Sequence, residues 1–223
     1  IYDVFDRSFI YDSYGCRKLK GTHKASARLQ NFMRKHSNDK YYLQLDIRKY
    51  YYNINHNILR NFISKIIKDE RIVNLIMLFV DTVKGIGLFV GNVLSQLFGL
   101  IYLSPLDHFI KRVLKIKHYI RYVDDFVLVG LEKSEAHILK SKIESFLKDE
   151  LNLELSKFRI ANIKQGCNFV GFRTWKRVKF IRKHTLHNFS KAVKLQKEAS
   201  IISILGHAKH SSSHKYLISK LGA

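Results

Sequence analysis

Tyr119-Ile120-Arg121-Tyr122-Val123-Asp124-Asp125-Phe126-Val127-Leu128-Val129 is rich in β-branched and aromatic residues, and Asp124 and Asp125 separate its two halves. Such residues fit a pleated, half-buried surface, so the stretch reads as a β-hairpin with two carboxylates at its tip. Adjacent like charges repel, and each raises the pKa of the other unless a cation intervenes. As a bare dipeptide the pair also suits a solvated turn, and its surroundings must decide.

Upstream, Tyr41-Tyr42-Leu43-Gln44-Leu45-Asp46-Ile47-Arg48 alternates with the period of a strand. Tyr41, Leu43, Leu45 and Ile47 point one way; Tyr42, Gln44, Asp46 and Arg48 point the other, which places Asp46 on a polar face. Asp46 converges with Asp124 and Asp125 if strand and hairpin are neighbours in one antiparallel sheet. Hard oxygen ligands suit Mg2+. Nucleotidyl transfer uses two such ions about 4 Å apart, one activating the attacking 3′-hydroxyl and one holding the triphosphate and the leaving pyrophosphate.

The 223 residues carry 40 Lys and Arg against 18 Asp and Glu, a formal charge of +22. A polyanionic partner follows, bound more weakly as salt rises. An anionic membrane surface would also attract such a chain. The uncharged stretch from Gly85 to Leu106 has the length of a spanning helix, but Gly85, Gly87, Gly91, Asn92, Ser95, Gln96, Gly99 and Ser104 punctuate it. It reads as a loop entering a buried helix, and no membrane partner is expected. Cys16 and Cys167 lack both the paired spacing of a zinc site and the density of a disulfide scaffold. A cytoplasmic setting without a signal peptide is the expectation.

Pro105 is the only proline and no Gly/Ser tract occurs, so the chain reads as continuous structure. Helical spacing is expected over 24–35, 57–68 and 134–151, with a second, more buried helix over 72–83. A strand pair is expected over 169–181 and a basic helical tail from His184.

Tyr122-Val123-Asp124-Asp125 resembles the catalytic tetrapeptide of reverse transcriptases, and Leu45-Asp46-Ile47-Arg48-Lys49-Tyr50-Tyr51 resembles their first carboxylate motif, in the same order and at similar separation. Asp12-Ser13-Tyr14-Gly15-Cys16-Arg17 is similar to the fingers segment. Phe169-Val170-Gly171-Phe172-Arg173 is similar to the primer-grip hairpin, and Leu205 to His210 with Ser213 to Tyr216 is similar to bacterial thumb helices. The resemblance implies an α+β right-hand polymerase fold. Its fingers would be 1–40 and 57–86, N-terminally incomplete, its palm an antiparallel sheet backed by helices over 41–56 and 87–177, and its short helical thumb 178–223.

What the resemblance implies for function is an RNA-directed DNA polymerase with two Mg2+, or Mn2+ in their place, at Asp46, Ile47, Asp124 and Asp125. Its partners would be an RNA template, a nucleic-acid primer, deoxynucleoside triphosphates and an accessory protein. Arg17 matches the triphosphate-clamping arginine, Tyr51 the aromatic gate beneath the sugar, and Lys157 a lysine that protonates pyrophosphate; core packing for Tyr51 and a plain basic face around Arg17 remain open readings. Tyr122, Arg173, Lys176, Arg177 and Lys179, with Arg182 and Lys183, would follow the primer and template. Trp175 is expected to pack in its hairpin. His207, His210 and His214 are expected on a basic helix facing nucleic acid rather than on a metal.

Val90-Gly91-Asn92-Val93-Leu94-Ser95-Gln96 points to a subtype. Most reverse transcriptases have glutamine before that glycine; an aliphatic residue there, with Ser-Gln after three variable positions, resembles the enzymes of diversity-generating retroelements. The resemblance places Val90, Gly91 and Gln96 in the nucleotide pocket and implies errors at template adenines. Group II intron, retron and phage-defence reverse transcriptases, or a non-catalytic RNA-binding scaffold on the same fold, are the alternatives.

Overall fold

The computed structural model describes residues 1–221. A short helix α1 (Tyr2–Asp6) and a longer one α2 (Thr22–Arg34) precede strand β1 (Tyr41–Ile47). Helices α3 (His56–Ile66), α4 (Glu70–Val80) and α5 (Val93–His108) lead to the hairpin β2 (Tyr119–Tyr122) and β3 (Asp125–Leu131). Helix α6 (Lys133–Leu151) and strand β4 (Leu155–Asn162) follow, then β5 (Cys167–Phe169), β6 (Phe172–Thr174) and β7 (Lys179–Ile181). Three helices close the chain: α7 (Lys183–Lys194), α8 (Glu198–Ala208) and α9 (His214–Ser219).

Strands β2-β3-β1-β4 form one antiparallel sheet, and β5-β6-β7 form a second. Three strands therefore stand where a pair was expected, because Cys167–Phe169 folds back through the Val170-Gly171 turn, where both residues have positive φ. This small sheet runs across the expected 177/178 division.

Apolar residues of β1 and β3, including Leu43, Leu45, Phe126 and Leu128, pack on α5 and α6 through Tyr102, Leu103, Ile143 and Leu147. The other face was expected to be polar, yet Tyr42 is fully buried there. Its ring joins Ile120, Val127 and Val129 under Leu29, Phe32 and Met33 of α2 and Phe169 of the small sheet. Its hydroxyl donates to the carbonyl of Gly166 at 3.1 Å, which satisfies the buried oxygen. A tyrosine serves both readings of the alternation, apolar ring and polar tip. A third apolar cluster joins Phe172 and Ile181 to Phe189, Ala208 and Leu217 of the terminal helices.

Helix α5 with its π-helical extension, Val93–Val113, is long and apolar enough to span a membrane, but 67% of the apolar window is buried inside the protein. It is the core helix expected from the glycines of its approach and the serines within it. Helix α4 departs from expectation: Val73, Ile76, Met77 and Val80 are buried, whereas Ile72, Leu75, Leu78 and Phe79 are exposed. It packs on α3 along one side only, so its nearly all-apolar sequence overstates its burial.

Behind the main sheet, His36 and His118 approach with Nε2 and Nδ1 2.6 Å apart. Burial, then the charge of His36 and of nearby Lys35 and Lys111, pushes the His118 pKa down to about 4 from 6.5; burial and Lys40 also lower His36. The unfolded chain therefore binds these protons first as pH falls, and the fold loses stability between pH 6.5 and 4. Urea midpoints at pH 7 and pH 5 should differ less for His118→Gln than for the native chain. Equal differences would remove the pair from the pH response.

Candidate active site

The register of the main sheet builds the site. Asp46 lies directly across from Asp125 on β3 and from Lys157 on β4. The Ile47 amide donates to the Asp124 carbonyl at 3.3 Å, which joins the end of β1 to the hairpin turn. Asp46, Ile47, Asp124, Asp125 and Lys157 thus meet at one edge, as their separation in the sequence allowed. Lys157 Nζ stands 3.1 Å from Asp46 Oδ2 on an exposed side chain, so it pairs with a carboxylate in this arrangement.

Burial raises the Asp125 pKa to about 6, and the charges of Asp46 and Asp124 add to the rise. Burial is also the main cause of the raised pKa of Asp124, with Asp46 adding. Gln44 opposes the rise at Asp125. Its Nε2 donates to Asp125 Oδ1 at 2.9 Å and to the Asn168 carbonyl at 2.8 Å, while its Oε1 accepts from Cys167 Sγ at 3.7 Å. A cleft of about 490 Å3 opens here between Gln44, Asp46, Asp125, Lys157, Asn168 and Arg182. Replacing Gln44 with Leu removes the donor and should move the Asp125 pKa further up, read by carboxyl 13C NMR titration. An unmoved or lowered value would deny Gln44 its hold on Asp125.

Among the described residues, no three His, Cys, Asp or Glu side chains close into a metal-holding cluster as they stand. Asp46 is directed to Lys157 and Asp125 to Gln44. The donor chemistry nevertheless fits a hard divalent cation: carboxylate oxygens without thiolate or imidazole, partly desolvated and mutually repelling, a cost that positive charge offsets.

The hairpin tip is held from beneath. Val123, β-branched, has φ 58°, a left-handed conformation that such residues avoid. Arg121 Nη1 donates to its carbonyl at 2.8 Å. The same guanidinium, fully buried, grips fully buried Asp107 of α5 through Nε at 2.8 Å and Nη2 at 2.6 Å, and Tyr119 donates its hydroxyl to Asp107 at 2.7 Å. Residues 12–14 run beside β2, where the Arg121 amide donates to the Asp12 carbonyl and the Tyr14 amide to the Arg121 carbonyl. Gly15 comes next, and a Cβ there would lie 2.6 Å from Val123 Cγ2 and 2.7 Å from its backbone nitrogen, so only glycine fits against the turn.

Tyr51 is half-buried in a 3-10 turn, Tyr50–Tyr52, with its ring against Gly99 of α5. Its carbonyl accepts from the Leu88 amide at 2.7 Å, which pins the loop carrying Val90 and Gly91 beside it. Val90 and Gln96 are exposed, and Gly91 has φ 107° just before the Asn92 cap of α5. The Leu88 bond thus holds the loop of Val90 and Gly91 to Tyr51, whose hydroxyl feels the charge of Asp124.

Arg17 does not present itself as a phosphate clamp. Its side chain is 8% exposed; Nε pairs with Asp6 at 2.7 Å, and Nη1 donates to the carbonyls of Ile10 and Ser13. The fork of donors that suits a triphosphate here ties together the N-terminal segment. Lys176 donates to the His36 carbonyl at 2.6 Å and Lys179 to Ser26 at 3.3 Å, so both fasten the small sheet to α2. Arg173 donates to the Gln165 carbonyl and lies over Trp175, which packs in its hairpin and donates to the Lys164 carbonyl. Arg177 and Arg182 are exposed, and Tyr122 is half-buried at the tip. His207 and His210 meet His23 of α2, with ring centroids 5.6 and 3.9 Å away; His207 is half-buried and His210 stays exposed.

Gln44 escaped the sequence reading although it sits two positions before Asp46, on the same strand face. Arg121 and Asp107 were missed as well, although each is a charged residue inside an apolar run, a pattern that calls for pairing.

A profile of the reverse transcriptase (RNA-dependent DNA polymerase) family matches residues 1–174. Among solved structures, apo telomerase from Candida tropicalis, truncated from its C-terminal domain, shares the fold with TM-score 0.63 and 18% identity over 81% of this chain and 43% of that one. Telomerase from Candida albicans in complex with the TWJ fragment of telomeric RNA gives 0.63 and 14% over 81% and 36%. Apo telomerase from Candida tropicalis gives 0.62 and 16% over 82% and 39%. The chain thus spans about two fifths of the length of these structures, and no curated protein sequence matches it. With three quarters of its length matched by the profile and its carboxylates joined across neighbouring strands, the chain belongs to the reverse transcriptase family.

Proposed function

We propose that the chain is an RNA-directed DNA polymerase that copies an RNA template into cDNA from a nucleic-acid primer and deoxynucleoside triphosphates. The observation that carries this reading is the register of Asp46 opposite Asp125, beside Asp124, in a chain of this family. Asp46, Asp124 and Asp125, with Ile47, would hold Mg2+ or Mn2+, which supplies Lewis-acid activation of the 3′-hydroxyl and charge stabilisation of the triphosphate. The charge of +22 draws in the nucleic-acid backbone. The fingers of this reading are 1–40 and 57–86, the palm 41–56 and 87–177, and the thumb 178–223.

Within this class we assign the chain to diversity-generating retroelements, acting in the cytoplasm with an accessory protein and without a membrane. Val90 supports this: an exposed apolar residue, beside Tyr51 through the Leu88 link, stands where an amide would give the pocket a hydrogen-bonding group. Pockets without such groups discriminate weakly. Sequencing the cDNA made from one RNA template should show misincorporation opposite adenine falling several-fold in Val90→Gln. Equal error spectra would remove Val90 from fidelity and leave the other retroelement classes favoured.

A further inference from the structure

Beside the carboxylate cleft lies a second cavity of about 570 Å3, between the small sheet and helices α7 and α9. It shares Asn168 and Arg182 with the cleft that holds Asp46 and Asp125, so the two adjoin along a common wall. Its walls are mainly apolar and aromatic: Trp175, Phe180, Leu186 and Tyr216. Phe180 and Tyr216 are both exposed. Arg173, Arg182 and Lys183 supply cations at the same cavity, and no acidic residue lines it. Arg173 Nε is buried without a hydrogen-bond partner among the described residues.

Flat aromatic walls beside several cations match a base joined to a phosphate, since every base offers a π-face for stacking and each phosphate a negative charge. The volume lies within the roughly 300–1,000 Å3 of pockets that enclose small organic ligands. Adjacency to the carboxylates selects the strand whose end lies there. Resting on the polymerase reading above, we propose that this cavity binds one unpaired nucleotide at the 3′ end of the primer strand, withdrawn from the carboxylates. A paired end keeps its base in the duplex stack and cannot enter. A mispaired end has little stacking to lose and can.

The test uses the full chain, an RNA template and DNA primers ending in 2-aminopurine, either paired or mispaired, with nucleotides withheld. Wild type should quench the mispaired terminus and leave the paired one nearly unchanged. Tyr216→Ala and Phe180→Ala should each weaken capture of the mispaired end by about fivefold or more. Tyr216→Phe, which keeps the ring, should retain the quench, and thermal melts identify any variant that fails to fold. Absent quenching in wild type, or equal quenching in folded alanine variants, would overturn the pocket. Extension of a matched primer by wild type is scored separately. Its failure would reject the polymerase reading, whereas failure of the quench alone rejects only the pocket.

Discussion

Asp107→Ala is expected to destabilise the fold by about 3–5 kcal/mol, because it strands a guanidinium that is fully buried. For a chain of this size that is a fall in Tm of roughly 6–20 °C. The loss reaches further than one ion pair. Tyr119 loses the acceptor of its buried hydroxyl, and Arg121, freed from its bidentate grip, loses the posture from which it holds the Val123 carbonyl. The double replacement Asp107→Leu with Arg121→Met should recover most of the stability, since apolar residues of similar volume often replace a buried pair without cost. It should not restore the tip, whose left-handed Val123 then has no donor beneath it. Calorimetry on the native chain and these two variants decides the matter. A cost below about 1 kcal/mol for Asp107→Ala would mean that solvent reaches Arg121.

Asp124→Asn should reduce primer extension by about a thousandfold or more, equivalent to several kcal/mol of lost transition-state stabilisation. The amide matches the carboxylate in shape but has no charge with which to hold a divalent cation. Folding should not suffer. The raised pKa of Asp124 means that its charged form is disfavoured in the folded state, so a neutral isostere at pH 7 leaves stability equal or higher. RNA affinity should also persist, because a surface of +22 barely registers one charge. Extension lost together with RNA binding or the fold would locate Asp124 in the scaffold; retained extension would remove it from the reaction.

Local pattern carried much of this structure. The alternation over 41–48 and the β-branched and aromatic halves around Asp124-Asp125 are properties of individual strands, and they revealed β1, the hairpin and the polar position of Asp46. The glycines ahead of α5, with Ser95, Gly99 and Ser104 inside it, identified it as a buried helix. What the sequence concealed depends on which elements meet. Tyr42 is buried because α2 and the small sheet cover a face that alternation marks as polar. Helix α4 leaves Ile72, Leu75, Leu78 and Phe79 exposed because only its other face packs into the core, whatever its composition. Arg17 looked available for phosphate because its partners, Asp6 and the carbonyls of Ile10 and Ser13, become neighbours only when the N-terminal segment folds around it. Gln44 belongs to the same class: its partners Asp125, Asn168 and Cys167 lie on two other elements.

Asp46, Asp124 and Asp125, gathered at one end of the main sheet, are proposed to copy RNA into DNA. The most direct test is single-turnover extension of a labelled primer annealed to RNA, with purified wild-type chain, deoxynucleoside triphosphates and Mg2+ or Mn2+. Alkali-resistant product reaching beyond the primer and complementary to the template, abolished by chelation, is the expected result. Tight binding of the primed RNA with no added nucleotide under either cation would contradict it and leave a nucleic-acid-binding scaffold in its place.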